Sequence, residues 1–152
     1  GTHRNLSCIM SLPCFQRRGI GSFLIDFSYE LSRRSKQIGS PERPLSDLGK
    51  RTYLRYWLSK ILDLLMCRTV KDPISVQMLS EMTYIKEDDI IMTLTEYNLL
   101  VYYKGNHHIA IPPWKIKKLY KPPSENHLKI HPEFLHWVPL RLPAAEMIQD
   151  RF

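Results

Sequence analysis

The chain has 152 residues, 43% hydrophobic and 24% charged, a mix that suits one globular domain or two small ones and excludes disordered and collagen-like classes. Lys and Arg number 22 against 15 acids, a formal charge of +7, which favours anionic partners: nucleic acid, an acidic membrane surface or a phosphate-bearing cofactor. No apolar run reaches the roughly 18 residues of a bilayer crossing. Gly1 to Asn5 lacks the apolar stretch of a signal peptide. Cysteines at 8, 14 and 67 offer no CxxC spacing, which argues against a disulfide framework or a self-contained zinc finger and fits a reducing compartment.

Leu6 to Leu12 is a short apolar-rich run closed by Pro13, and predicts a buried strand that abuts a turn. So apolar a strand needs neighbours on both sides, so it is expected to lie in the middle of a fold. Ser22 then opens a helical pattern. Ile20, Phe23, Leu24, Phe27 and Leu31 keep the spacing of one buried stripe, and the helix ends between Ser32 and Ser35. Ile38 to Pro44 is a loop punctuated by Gly39, Pro41 and Pro44.

Ser46 and Asp47 offer an N-cap for a second long helix. Tyr53, Tyr56, Trp57, Ile61, Leu64 and Leu65 keep its helical spacing as far as Met66. Asp72-Pro73 marks a boundary. Ser75 caps a short helix through Met82, with Val76, Leu79 and Met82 on one face. A turn at Tyr84 to Lys86 leads to a helix over Glu87 to Asn98, with Ile90, Ile91 and Leu94 inward and acids at 87, 88 and 89 in its first turn. Leu100 to Tyr103, a turn at Lys104 to Asn106, and His107 to Ile111 spell a hairpin. Helix, turn, helix, hairpin is the outline of a winged helix-turn-helix. A short helix over Trp114 to Leu119 and an irregular tail with Trp137 follow. The chain thus divides at 1–72, 73–140 and 141–152. His107 and His108 read as surface residues, Cys14 and Cys67 as structural, and the aromatic stripe at 53, 56 and 57 as core.

The strand, Gln16-Arg17-Arg18-Gly19-Ile20-Gly21 and the helix form the strongest chemical signal. Glycines at 19 and 21 let the main chain bend and approach a ligand closely. Successive amides and a helix N-terminus make an anion site, with Arg17 and Arg18 adding charge. No Gly-Lys-Ser/Thr follows, and the three-glycine dinucleotide spacing is absent. The pattern resembles the pyrophosphate loop of acyl-CoA N-acyltransferases.

Longer stretches narrow this. Leu6-Ser-Cys-Ile-Met-Ser-Leu-Pro13, Phe15-Gln-Arg-Arg-Gly-Ile-Gly21, Phe23-Leu-Ile-Asp-Phe-Ser-Tyr-Glu-Leu-Ser32 and Gly39-Ser-Pro-Glu-Arg-Pro-Leu-Ser-Asp-Leu-Gly49, with Tyr53 and Tyr56-Trp57, resemble the MYST family of histone acetyltransferases. The resemblance implies an α/β fold: the C-terminal part of a GNAT-like acyl-CoA N-acyltransferase core, followed by the winged-helix-like segment. It implies acetyl-CoA as co-substrate and lysines of core histone tails as acceptors. It also implies a nuclear location, subunits of a chromatin-modifying complex as partners, and no membrane partner, while the basic surface suits weak contact with nucleosomal DNA.

The resemblance also assigns residues. Glu42 falls on the general base and Cys8 on the active-site cysteine. Ile9 and Ser11 match strand positions whose main chain meets the acetyl arm. Gln16, Arg17, Arg18, Gly19, Ile20, Gly21 and Ser22 match the pyrophosphate loop, and Ser46 and Lys121 match further cofactor contacts. Arg55 stands where the family often has a serine, and suits a cofactor phosphate by charge. No metal site is assigned within this chain; the family's zinc finger belongs to an N-terminal half whose pattern is absent from these residues. The chain alone is therefore expected to be a poor enzyme.

The chemistry agrees with those roles. A lysine amine, with a reference pKa of about 10.4, must lose a proton before it attacks a thioester. A carboxylate in a partly desolvated cleft suits that task. Glu42 sits between Pro41 and Pro44, on a stiff loop. Cys8 either carries a transient acetyl group or lines the acetyl pocket. Two rival readings stay open at this level: a DNA- or protein-binding winged helix, and a paralogue that has lost catalysis. Against DNA reading, no Arg or Lys lies between 87 and 99, where a groove-reading helix presents such side chains.

Overall fold

Pairing between two distant stretches organises the first half. In the computed structural model, which describes residues 3–67, 74–103, 106–109, 111–122 and 128–139, β1 (His3–Leu6) lies parallel to β2 (Gly39–Pro41). Helix α1 (Ile20–Ser35) makes the crossover. The strand therefore lies earlier than the apolar run suggests. Past Leu6 the chain is irregular, and Met10 is 84% and Leu12 57% exposed. The cause is the partner. Leu6 faces Pro41, which has no N–H to give. The last bond comes from the Glu42 N–H to the Leu6 carbonyl at 2.9 Å, after which β2 has ended.

Helix α1 starts at Gly19, held at φ 81°, and stops at Lys36, whose left-handed turn returns its N–H to Ser32 and Arg33 carbonyls. Its buried face is Ile25, Ser28, Tyr29 and Ser32, with Glu30 beside them. Ile20, Phe23, Leu24, Phe27 and Leu31 are only half-buried, so the stripe read from the sequence is the wrong face. Helical period was legible there. Which face is covered depends on β1 and α2, the elements that pack on α1.

Helix α2 (Asp47–Cys67) is the central post. Ser46 caps it, its Oγ accepting the Gly49 N–H at 3.1 Å. Tyr53, Leu54, Trp57, Leu58, Ile61 and Leu62 are buried along it, and Tyr56 is half-buried and stacks on Tyr29 with centroids 5.2 Å apart. Trp57 donates its Nε1–H to the Tyr29 hydroxyl at 2.8 Å. Burial pushes the Tyr29 and Tyr56 hydroxyls far above the usual tyrosine range.

Helix α3 (Val76–Thr83), helix α4 (Glu87–Glu96) and the antiparallel hairpin β3 (Leu100–Tyr103) and β4 (Asn106–Ile109) follow in the expected order, then α5 (Pro113–Leu119). Ser75 caps α3 as expected, accepting the Met78 N–H at 3.1 Å. Two faces differ from expectation. In α3 the buried residues are Leu79, Ser80 and Thr83, and Met82 is exposed. The Ser80 and Thr83 hydroxyls bond the Ile85 and Leu79 carbonyls at 2.6 Å each, so burial leaves neither unpaired. In α4, Asp89 and Thr93 are buried with Ile90 and Leu94, while Ile91 is only half-buried. The helix stops at Glu96 rather than Asn98, which turns left-handed at φ 53°.

A single core runs through both halves. Leu79, Ile85, Ile90, Leu94 and Leu99 join Ile25, Tyr29, Trp57 and Ile61 in one cluster. The exposure of the side chains of His107 and His108, and any structure of 141–152, lie outside the described residues. No helix among the described residues is long and apolar enough to cross a membrane. Gly39 shows how tight the junction is. A Cβ there would sit 2.7 Å from both Asn5 Nδ2 and Ser32 Oγ. Gly39→Ala is therefore expected to lower unfolding stability by about 1–3 kcal/mol, the usual cost of overpacking, measured by urea denaturation. An unchanged midpoint would mean that Asn5 and Ser32 give way freely.

Candidate active site

The Gln16–Ser22 segment is an open cradle. Leu12 to Gly19 is exposed throughout. Gln16 braces the bend, its Nε2–H donating to the Ser11 carbonyl at 3.2 Å. Arg17 is left-handed at φ 62° and Gly19 at φ 81°, a conformation in which a Cβ is strained. No side chain caps α1, so its first amides keep their donors free for an anion. A Cβ at Gly19 or Gly21 would meet nothing within 4 Å, so packing within the described residues demands a glycine at neither position, and only at Gly19 does the backbone conformation favour one. Arg17 and Arg18 are exposed beside the cradle, and Arg18 lies over the Phe15 ring at 5.6 Å.

The strand pair sets the second part. Cys8 and Glu42 both follow the C-terminal ends of parallel strands, the end at which open α/β sheets place ligands. The Cys8 thiol is exposed, although an apolar strand there would have buried it. Glu42 is half-buried and accepts a hydrogen bond from the Arg4 guanidinium at 2.8 Å. Ile9 packs half-buried against the core edge. Cys14 and Cys67 are also exposed and free, so neither contributes to the core.

Two assigned contacts lie farther along. The Ser46 hydroxyl is engaged as the α2 cap. Lys121 lines a cleft of about 610 Å³ together with Arg55, Ser59, Lys118, Tyr97 and Tyr120. The structure thus brings Arg55 and Lys121 to one place and adds Lys118, which no sequence signal linked to them.

Residues 1–135 match the model of the MOZ/SAS family. The chain belongs to the MOZ/SAS family. It is 43% identical over 137 residues to the Arabidopsis thaliana protein named histone acetyltransferase of the MYST family 1, covering 90% of this chain and 30% of that protein. It is 40% identical over 143 residues to histone acetyltransferase ESA1 of Yarrowia lipolytica, covering 94% and 30%. It is 42% identical over 143 residues to histone acetyltransferase MOF of Drosophila melanogaster, covering 93% and 17%. The chain therefore spans less than a third of the length of these relatives. The resemblance to MYST acetyltransferases holds across nearly all of it.

One residue that holds the loop carrying Glu42 is marked in the sequence only as an acid of a first helical turn. Asp89, in the first turn of α4, accepts a hydrogen bond from Ser40 Oγ at 2.7 Å and another from the Arg43 guanidinium. Its side chain is buried, while that of Arg43 reaches solvent. Burial pushes the Asp89 carboxyl above the usual range, against the opposing pull of Ser40 and Arg43. The available signal was the four-residue step from Asp89 to Thr93 on the same helix face as Ile90 and Leu94. No group of three or more His, Cys, Asp or Glu side chains among the described residues is placed to hold a metal ion.

Proposed function

We propose that this chain carries part of the active site of a nuclear histone acetyltransferase, which transfers acetyl from acetyl-CoA to lysines of core histone tails within a chromatin-modifying complex. Residues 1–72 form the C-terminal part of its GNAT-like core, 73–140 a winged-helix-like segment and 141–152 a tail. The observation that carries this reading is the uncapped N-terminus of α1 under an exposed, left-handed Arg17–Gly19 bend, on a chain in which β1–β2 pairing draws Cys8 and Glu42 to one strand end.

The roles in this reading are those the family resemblance implies. Amides of residues 17 to 22 hold the diphosphate, with Gln16 bracing the bend and Arg17 and Arg18 adding charge. Ile9 and Ser11 offer main-chain groups to the acetyl arm. Ser46 adds a contact at the α2 cap, and Lys121 with Arg55 meets a more distant phosphate from their shared cleft. Acetyl-CoA supplies the acetyl group as a thioester, which an unprotonated lysine amine attacks with release of the CoA thiol. Glu42 takes the proton from that lysine. Cys8 lines the acetyl pocket, and attack is direct. The net positive surface assists contact with nucleosomal DNA at low salt.

The test is acetyl-CoA titration, followed by transfer of labelled acetyl to core histones, in the longest natural form of the protein that carries these residues. Gly19→Val puts a β-branched side chain where φ is 81°. It is expected to weaken acetyl-CoA binding about tenfold or more, because the misdirected amides lose charge-assisted hydrogen bonds worth about 1.5–3 kcal/mol each. Wild-type affinity in that variant, or no histone labelling by the parent, would defeat the proposal.

A further inference from the structure

The loop that carries Glu42 is gripped from two sides. On one side β1 holds it, through the Glu42 N–H to the Leu6 carbonyl and through Arg4 to the Glu42 carboxylate. On the other side the grip comes from α4 and the turn before it. The Gly39 N–H donates to the Tyr84 carbonyl at 2.9 Å, and the Lys86 N–H donates to the Gly39 carbonyl at 3.2 Å. Asp89 then takes both Ser40 and Arg43. Ser40 lies two residues before Glu42 and Arg43 one after, so a single buried carboxylate holds both flanks.

We propose that Asp89 is a positioning residue for Glu42, fixing through Ser40 and Arg43 the loop conformation that sets Glu42 beside the Cys8 end of β1. The proposal rests on the reading of Glu42 as the base, and extends the site to α4, a helix whose lack of Arg and Lys argues against DNA reading. A buried ion pair is a weak source of net stability, because desolvation offsets its attraction. What it does supply here is a defined direction. The guanidinium fork and the serine hydroxyl each dictate where the backbone on their side of Glu42 runs. A shift of about 1 Å in a reacting group is enough to cost on the order of a hundredfold in rate. The acids of the first turn of α4 then have distinct fates. Glu87 and Asp88 face solvent, and Asp89 turns inward to the loop.

The test uses the full-length protein. Arg43→Gln is the main variant, because the Arg43 side chain is half exposed and its loss is the least disruptive to folding. Asp89→Asn and the double variant complete a cycle. Arg43→Gln is expected to lower kcat about 10- to 100-fold, with the acetyl-CoA Kd unchanged. It should lower the thermal midpoint as well, because it leaves the Asp89 carboxylate buried without its cation. The double variant, which removes that charge, should regain the midpoint but not kcat. Arg43→Lys, which keeps the ion pair, should recover part of the loss. Adding Asp89→Asn to Arg43→Gln should cost little more. Wild-type kcat in Arg43→Gln overturns the proposal. So does a kcat that recovers together with the thermal midpoint in the double variant, or a loss of acetyl-CoA affinity that matches the loss of kcat, either of which marks a merely structural pair. Glu42→Gln, run alongside, separates the two ideas. If it abolishes transfer while Arg43→Gln does nothing, the base stands and the positioning role falls. If it leaves transfer intact, the base falls and takes the positioning role with it.

Discussion

Glu42→Gln is expected to cut acetyl transfer by about 10²- to 10⁴-fold at neutral pH, the usual contribution of a general base. The substitution is close to isosteric. Its amide oxygen can still accept from Arg4, and the Glu42 N–H to Leu6 carbonyl bond is untouched, so the loop should keep its course. What disappears is a site for the proton of the incoming lysine. The size of the loss should depend on pH in a set direction. Near neutrality almost every lysine amine is protonated, since its reference pKa is about 10.4, and the base is needed most. As pH rises toward that value, more lysine arrives already neutral, and the gap between wild type and variant should shrink. Initial rates from about pH 6.5 to 9.5, at saturating acetyl-CoA, measure this. A gap of constant size across that range would assign the proton to another group.

Trp57→Ala should have the largest effect on folding, about 3–5 kcal/mol. Trp57 is fully buried at the middle of α2 and packs on Tyr53 with centroids 5.1 Å apart. Its removal leaves a cavity at the crossing of α1 and α2, and it takes the Nε1–H donor from the buried Tyr29 hydroxyl. A domain of this size is held by about 5–15 kcal/mol, so the variant should unfold at far lower denaturant or fail to show a cooperative transition. Trp57→Phe, which fills most of the space and loses only the N–H, should cost less. Equal stability of the alanine variant and the wild type would mean that Trp57 is not the keystone its burial indicates.

Local features were legible in the sequence and non-local ones were not. Helix α2, the Ser75 cap and the β3–β4 hairpin follow from period, capping and turn residues within a few positions of each other. The Gln16–Ser22 loop and Glu42 were legible because a specific string of residues carried the family resemblance. The inward face of α1 was misread because Ile20, Phe23, Leu24, Phe27 and Leu31 obey the right period, while β1 and α2 cover the face next to it. The first strand was placed too late because its end is decided by Pro41 on a different strand. Asp89 was hidden for the same reason. An acid in a first turn is ordinarily solvated, and only Ser40 and Arg43, 49 and 46 residues earlier, make its burial tolerable.

The contact of Gly39 with Tyr84, Ile85 and Lys86 bears on how such a protein can be rebuilt or inherited. The second half is not a detachable cassette. A chimera that joined residues 1–67 to an unrelated helical unit would strand the amide and carbonyl of Gly39, the Ser40 hydroxyl and the Arg43 charge all at once. Interchange between relatives should therefore succeed only when the crossover point lies outside 39–89, so that both sides of that seam travel together.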